Sequence, residues 1–144
     1  MSAPMDPSWL GHGIDLVEIG RLHEAMERSE AFEERVFTAG ECAYCRARAA
    51  PRIHFAGRFA AKEAALKALG LGLGAVGISQ VLRDVEVDSA GGAPRIVLHG
   101  KPAETARRFG VRRISVSITH THEHAIASVV MLGEGPAGEE GGEG

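Results

Sequence analysis

Apolar positions change period several times along the chain, and each change predicts an element. From Gly13 to Ile19 the run Gly-Ile-Asp-Leu-Val-Glu-Ile reads as a short strand, with Val and Ile supplying β-propensity around Asp15. The spacing turns helical from Gly20 through Leu22 and Met26, and Phe32, Val36 and Phe37 predict a second short helix. Thr38-Ala39-Gly40-Glu41 is arranged as a capping box, so a third helix starts at Thr38 and ends near Ala50, before Pro51. A long central helix follows, from about His54 to Leu69, with Phe55, Phe59, Leu66 and Leu69 on one stripe. Four glycines between Gly70 and Gly77 stop it.

Val85-Glu86-Val87 and Arg95 to Leu98 read as two strands joined by the hairpin Ala90-Gly91-Gly92-Ala93-Pro94. Pro102 to Phe109 is a short helix, with Pro102 suited to its first turn and Gly110 to its end. Ile114 to Thr119 alternates strictly, placing Ile114, Val116 and Ile118 on one face and three hydroxyls on the other. His120 to His124 makes a turn, and Ala125 to Leu132 returns as an apolar strand. Strands joined mainly by hairpins, with helices gathered elsewhere, predict an α+β fold: an antiparallel sheet beside a long central helix.

The 144 residues fit one domain, and no apolar run is long enough to span a bilayer. The Pro-rich start, 1–10, and the Gly/Glu-rich stretch, 133–144, are expected to be loose, leaving residues 11–132 as the folded unit. No signal peptide is read at the start, so the expected location is the cytoplasm. The net charge of −3 includes four glutamates from Gly133 onward, so the body is about neutral and gives no case for broad nucleic-acid binding. Cys42 and Cys45 form a Cys-x-x-Cys on a predicted helix with no preceding strand, and read as buried or half-buried thiols.

Two acids stand in apolar or basic settings: Asp15 on the first strand, and Glu63 within Gly57-Arg58-Phe59-Ala60-Ala61-Lys62-Glu63-Ala64. Two carboxylates beside cations suit a hard divalent metal and a phosphate. A snorkelling Lys62 and a Glu63–Lys67 pair account for the helix equally well. The glycine run lacks both the strand-before-helix context of a dinucleotide fingerprint and the ending of a P-loop. His120, His122 and His124 alternate without a fourth ligand at fixed spacing, a weak case for zinc or copper.

Gly13-Ile14-Asp15-Leu16-Val17 with Arg21, then Arg58-Phe59-Ala60-Ala61-Lys62-Glu63-Ala64-x-x-Lys67-Ala68, then Val116-Ser117-Ile118-Thr119-His120 with Ala125-x-Ala127, together resemble the holo-acyl-carrier-protein synthase family of phosphopantetheinyl transferases. The resemblance spans about residues 11 to 132, with the motifs in order. It implies transfer of 4′-phosphopantetheine from coenzyme A to a serine of an apo acyl carrier protein, releasing adenosine 3′,5′-bisphosphate. Asp15 and Glu63 would hold Mg2+, Lys62 would add a cation at the phosphates, and Glu63 or a metal-held water would take the serine proton. Arg58, Lys67, Thr119 and His120 are implied for coenzyme A, with backbone near the nucleotide from Gly70, Gly72 and Pro94. The family often has a basic residue where Ala93 stands, so a side-chain contact from that point is not expected.

Carrier proteins are acidic and helical, and Arg21, Arg28 and Arg35 in the first helices would receive one beside the metal. The family resemblance also implies a homotrimer with active sites between subunits. A magnesium-dependent phosphohydrolase, or an adaptor binding an acidic helix, are the alternatives. The carboxylate pair separates them, because an adaptor has no use for it.

Overall fold

The computed structural model describes residues 8–71 and 78–136, which contain five strands and six helices. In chain order they are β1 (Trp9–Glu18), α1 (Ile19–Arg28), α2 (Glu30–Val36), α3 (Ala39–Arg46), α4 (Pro51–Ala68), α5 (Ile78–Arg83), β2 (Val85–Asp88), β3 (Arg95–Leu98), α6 (Gly100–Arg108), β4 (Arg113–His120) and β5 (His124–Gly133). All pairings are antiparallel: β1-β5-β4 form one sheet and β2-β3 a separate ribbon. This is the expected α+β architecture. None of the described helices is long and apolar enough to cross a membrane.

The last strand is the middle one of its sheet, which explains its near-continuous apolar sequence. Ala125, Ala127, Val129 and Met131 point to one face and are fully buried there. That face is covered by α4, whose contact side is built of Ala60, Ala61, Ala64, Ala65 and Ala68. Small residues let backbone meet backbone. A Cβ built on Gly13 would stand 1.9 Å from the Ala64 carbonyl oxygen, and one on Gly11 2.3 Å from that of Ala68, so neither position accepts a side chain. Two strand residues advance about 6.7 Å and four helix residues about 6 Å, so glycines two apart on β1 match alanines four apart on α4. The next inward residue of β1 is Asp15.

Local signals account for most boundaries. The capping box at α3 is formed, with Glu41 N–H donating to Thr38 Oγ1 at 3.2 Å and Thr38 N–H to Glu41 Oε1 at 2.8 Å. Gly70, at φ +74°, ends α4 as a left-handed cap: its N–H bonds the Lys67 carbonyl and the Leu71 N–H the Leu66 carbonyl.

Several elements differ from the sequence reading. β1 starts at Trp9 rather than Gly13, because Trp9 and Leu10 pair with Gly133 and Leu132 and Trp9 stacks on Phe109 at 4.6 Å between ring centroids. The expected loose start is therefore too long by at least these two residues. α4 begins at Pro51, not His54, since a proline suits the first turn of a helix, and α3 already ends at Arg46 rather than near Ala50. The short α5 was not foreseen, since six residues after a glycine run carry too little periodicity. Gly72 and the remainder of the glycine run to Gly77 lie outside the described residues.

Cys42 and Cys45 are free thiols, one half-buried and one buried, as expected. Burial pushes them up to about 11 and about 12 respectively, the Glu33 carboxylate adding to the shift at Cys42.

Candidate active site

The glycine–alanine seam delivers Asp15 to the flank of α4 that carries Glu63. Glu63 is pushed up to about 8, first by burial and then by the neighbouring Asp15 carboxyl, with Lys67 opposing. Lys67, one turn beyond Glu63, donates from Nζ to Asp15 Oδ1 at 2.9 Å and to the Ile14 carbonyl at 3.0 Å. The structure thus assembles Asp15, Glu63 and Lys67 from residues 48 and 52 positions apart in sequence.

A groove opens beside Glu63 between α1 and α4, lined by Leu16, Arg21, Ala25, Arg28, Phe32, Phe59 and His124 among others. Arg21 and Arg28 therefore line the same groove as Glu63. Arg21 is also 3.9 Å from Glu18 on an exposed surface, a contact of little energetic weight. Arg35 is exposed on α2 and is not among the groove's lining residues. Phe32, Phe59 and His124 were not anticipated as groove residues. Phe32 and Phe59 had been read as helix core positions, and their rings lie 6.3 Å apart.

Lys62 does not join this cluster, and its expected place at the phosphates is corrected. It is fully buried on the other side of α4, where Nζ bonds Glu41 Oε1 at 2.8 Å, the Val85 carbonyl at 2.7 Å and the Leu82 carbonyl at 3.2 Å. All three ammonium hydrogens are spent. Glu41 Oε2 in turn accepts the Val87 N–H at 2.7 Å. Burial draws the Lys62 ammonium below the ordinary lysine range, against the pull of Glu41. The stripe containing Lys62 is the core-facing one, and a charge there must find a partner inside.

Arg58 lies on the same side as Lys62, one turn earlier, and is also away from the carboxyl pair. Its guanidinium bonds Ser89 Oγ, at the foot of the β2–β3 hairpin, and sits 4.3 Å from the centroid of Tyr44. Arg48 covers the same ring at 4.4 Å, and His54 meets it edge-on at 6.2 Å. Arg58 Nε is buried with no hydrogen-bond partner among the described residues, a costly condition for a donor. His54 is drawn below the ordinary histidine range by burial and then by Arg58, Arg48 and His120. Arg48, Arg58 and His54 thus gather around Tyr44, with His120 near His54, as a second, basic cluster. Its sequence signal was slight: Arg46-x-Arg48 and His54 are unremarkable in a helical hairpin.

Strand alternation divides two other candidates. His120 shares the helix-facing side of β4 with Ile114, Val116 and Ile118, whereas Thr119 faces outward with Ser115 and Ser117. The same chain therefore does not bring Thr119 and His120 to one point. Pro94 lines a groove between β3 and β4 with Arg95, Arg113 and Ser115. Gly70 caps α4 and has open space where a Cβ would stand. Among the described residues no group of three or more His, Cys, Asp or Glu could hold a metal ion, so the alternating histidines make no site of that kind.

Residues 11–129 match the family model for the 4′-phosphopantetheinyl transferase superfamily. The chain belongs to that superfamily. Among curated relatives of this phosphopantetheinyl transferase, the holo-[acyl-carrier-protein] synthase of Moorella thermoacetica is 45% identical over 130 residues, covering 90% of this chain and 97% of the relative. That of Anaeromyxobacter dehalogenans is 44% identical, covering 88% and 98%. Among solved structures, the Chronobacterium ammoniagenes ACPS-CoA complex superposes with a TM-score of 0.75 at 27% identity, covering 88% of this chain and 99% of that one. The Helicobacter pylori holo-[acyl-carrier-protein] synthase in complex with coenzyme A gives 0.67 at 35% identity, covering 83% and 98%.

Proposed function

We propose that this transferase moves the 4′-phosphopantetheine group of coenzyme A to a serine of an apo acyl carrier protein and releases adenosine 3′,5′-bisphosphate. The observation that carries the reading is the half-buried Asp15 and Glu63 carboxyls brought together beside a groove bearing Arg21 and Arg28, in a chain similar to holo-[acyl-carrier-protein] synthases over most of its length. The serine oxygen forms a bond to the phosphorus that carries pantetheine, and the bond from that phosphorus to the nucleotide side of the pyrophosphate breaks. The serine proton leaves to a base.

Asp15 and Glu63 would hold a magnesium ion. The donor set fits: two hard oxygen ligands leave room for water and phosphate oxygens, as this cation prefers. Two neighbouring carboxyls, with Lys67 alone leaving Glu63 pushed up to about 8, support a cation at this point. The ion's chemistry there is to offset charge on the pyrophosphate. Lys67, partly exposed, is placed to contribute a second positive charge at the same point. Glu63 or a neighbouring water takes the serine proton.

The basic cluster of Arg48 and Arg58 with His54 and His120 beside them would receive phosphate at the nucleotide end, where the unpartnered Arg58 Nε is a donor that a bound anion would satisfy. Arg21 and Arg28 would receive the acidic helix of the carrier at the groove, with Arg35 at its margin.

The reading extends to a homotrimer with sites between subunits, working in the cytoplasm. Leu10, Ile14 and Leu16 are 62%, 55% and 60% exposed on the outer face of the sheet, a row of large apolar side chains in need of cover. Thr119 lies on that outer face, and Pro94 lines a groove away from the carboxyl pair; a neighbouring copy would bring such residues to a shared site.

The test is to incubate the protein with coenzyme A, magnesium and apo acyl carrier protein and weigh the carrier by mass spectrometry. Gain of one phosphopantetheine on serine is the expected result. A carrier of unchanged mass, with fatty-acid, polyketide and peptidyl carriers all offered, would overturn it.

A further inference from the structure

The Lys62–Glu41 pair lies on the side of α4 that carries Arg58, away from Asp15 and Glu63. Glu41 and Tyr44 are three residues apart on α3, and Arg58 and Lys62 are four apart on α4, so each pair shares one helix face. The facing residues meet two by two: Glu41 with Lys62 at 2.8 Å, Tyr44 with Arg58 at 4.3 Å from ring centroid to guanidinium carbon. Both α4 cations continue to the β2–β3 ribbon. Lys62 reaches the Val85 carbonyl, Glu41 reaches the Val87 N–H, and Arg58 reaches Ser89.

We infer that the buried Lys62–Glu41 ion pair is a positioning device that sets the register of α3 on α4 and thereby holds Tyr44, Arg48 and Arg58 together as the nucleotide-phosphate cluster. The inference rests on the coenzyme A reading given above. Asp15 and Glu63 are placed by a different device, the glycine–alanine seam between β1 and α4, which involves neither member of the pair. A shift of α3 by a fraction of a turn would part Tyr44 from Arg58 and spread the cations while leaving that seam intact. Buried ion pairs contribute little net stability over apolar residues of like volume, and registry is their best-attested use.

Lys62→Met removes the ammonium and keeps the stem. In the full chain this variant should bind adenosine 3′,5′-bisphosphate about tenfold or more weakly by calorimetry, while half-saturating magnesium in the transfer assay stays within about threefold. Tyr44 is the only tyrosine in the sequence, so ring-labelled tyrosine gives a single NMR ring signal, and that signal should move in the variant. A folded variant with unchanged bisphosphate affinity overturns the inference, as does one whose magnesium requirement moves as far as its bisphosphate affinity. Should Lys62→Met fail to fold, the double variant Lys62→Met with Glu41→Leu removes both charges at similar volume and meets the same criteria. Wild-type protein that does not bind the bisphosphate would instead overturn the coenzyme A reading, and the Tyr44 ring signal would still decide the register: an unmoved signal refutes it.

Discussion

Lys67 Nζ lies 2.9 Å from Asp15 Oδ1 and 3.0 Å from the carbonyl of Ile14, so the helix that supplies Glu63 also grips the strand that supplies Asp15. One side chain closes the site electrostatically and mechanically. Removing either acid should abolish transfer without unfolding the chain. Asp15→Ala and Glu63→Ala are each expected to lower kcat by about a hundredfold or more, and EDTA should do the same to the wild type. Near-wild-type turnover by either variant at limiting magnesium would refute the metal assignment.

The raised Glu63 carboxyl makes metal-free stability depend on pH. Its folded value of about 8 lies above the ordinary 4.5, so between those values the folded state binds more protons than the unfolded one. Stability from this group is fully present below about 4.5 and is lost as pH rises through about 8. In EDTA, Tm should fall across that window and Glu63→Gln should flatten the slope. Calorimetry showing the same slope in both proteins would remove Glu63 as the source.

Gly13→Ala places a methyl 1.9 Å from the Ala64 carbonyl oxygen, backbone that has no rotamer to give. The seam must open, at a cost of about 3 kcal/mol. Activity per folded molecule should fall as well, because Asp15 moves with β1. Gly20→Ala, with nothing within 4 Å of its Cβ, is the control and should be neutral or slightly stabilising. Urea melts of the two variants check this; equal midpoints would mean that the seam has slack.

Charge reversal on α1 should separate the two substrates. Arg21→Glu and Arg28→Glu are expected to raise KM for the carrier by about tenfold and to leave KM for coenzyme A nearly unchanged. Arg35→Glu, off the groove, should do less. Steady-state kinetics with each substrate varied decides the point, and an unchanged carrier KM would take that arginine out of the docking surface.

Leu16→Lys should disturb assembly while sparing the fold, since the side chain is 60% exposed in the single chain. Light scattering is expected to show a trimer for the wild type and smaller species for the variant. A wild-type monomer at working concentration would refute the shared-site arrangement.

Signals confined to a few residues were legible in the sequence. The capping box at Thr38, the alternation of β4 and the glycine end of α4 each involve neighbours whose geometry is fixed by local sterics, and all three are present. The approach of Asp15 to Glu63 has no local signal. It depends on Gly11 and Gly13 meeting Ala68 and Ala64, and the sequence offers only the isolated settings of the two acids and the family motifs as pointers to it. Lys62 shows the limit most plainly. It sits four residues before Leu66 on the apolar stripe, but nothing at a fixed spacing indicates that the cap residue Glu41 meets it, so the sequence leaves its buried tie invisible. Thr119 and His120 were taken together although strict alternation assigns them opposite faces. Six-residue α5 lay below what a 3.6-residue period reveals.

Backbone touching backbone along β1 and α4 has a consequence for how sequences of this kind can drift. Where elements are spaced by interlocking side chains, every change of volume in the interior shifts their separation a little. Here the spacing near Asp15 and Glu63 is set by hydrogens and methyls against carbonyl oxygens, so the rest of the interior can exchange leucine for isoleucine or phenylalanine without moving the two carboxyl groups. The chemistry is insulated from ordinary variation in the core, and the seam itself is the one place where a single added carbon is felt.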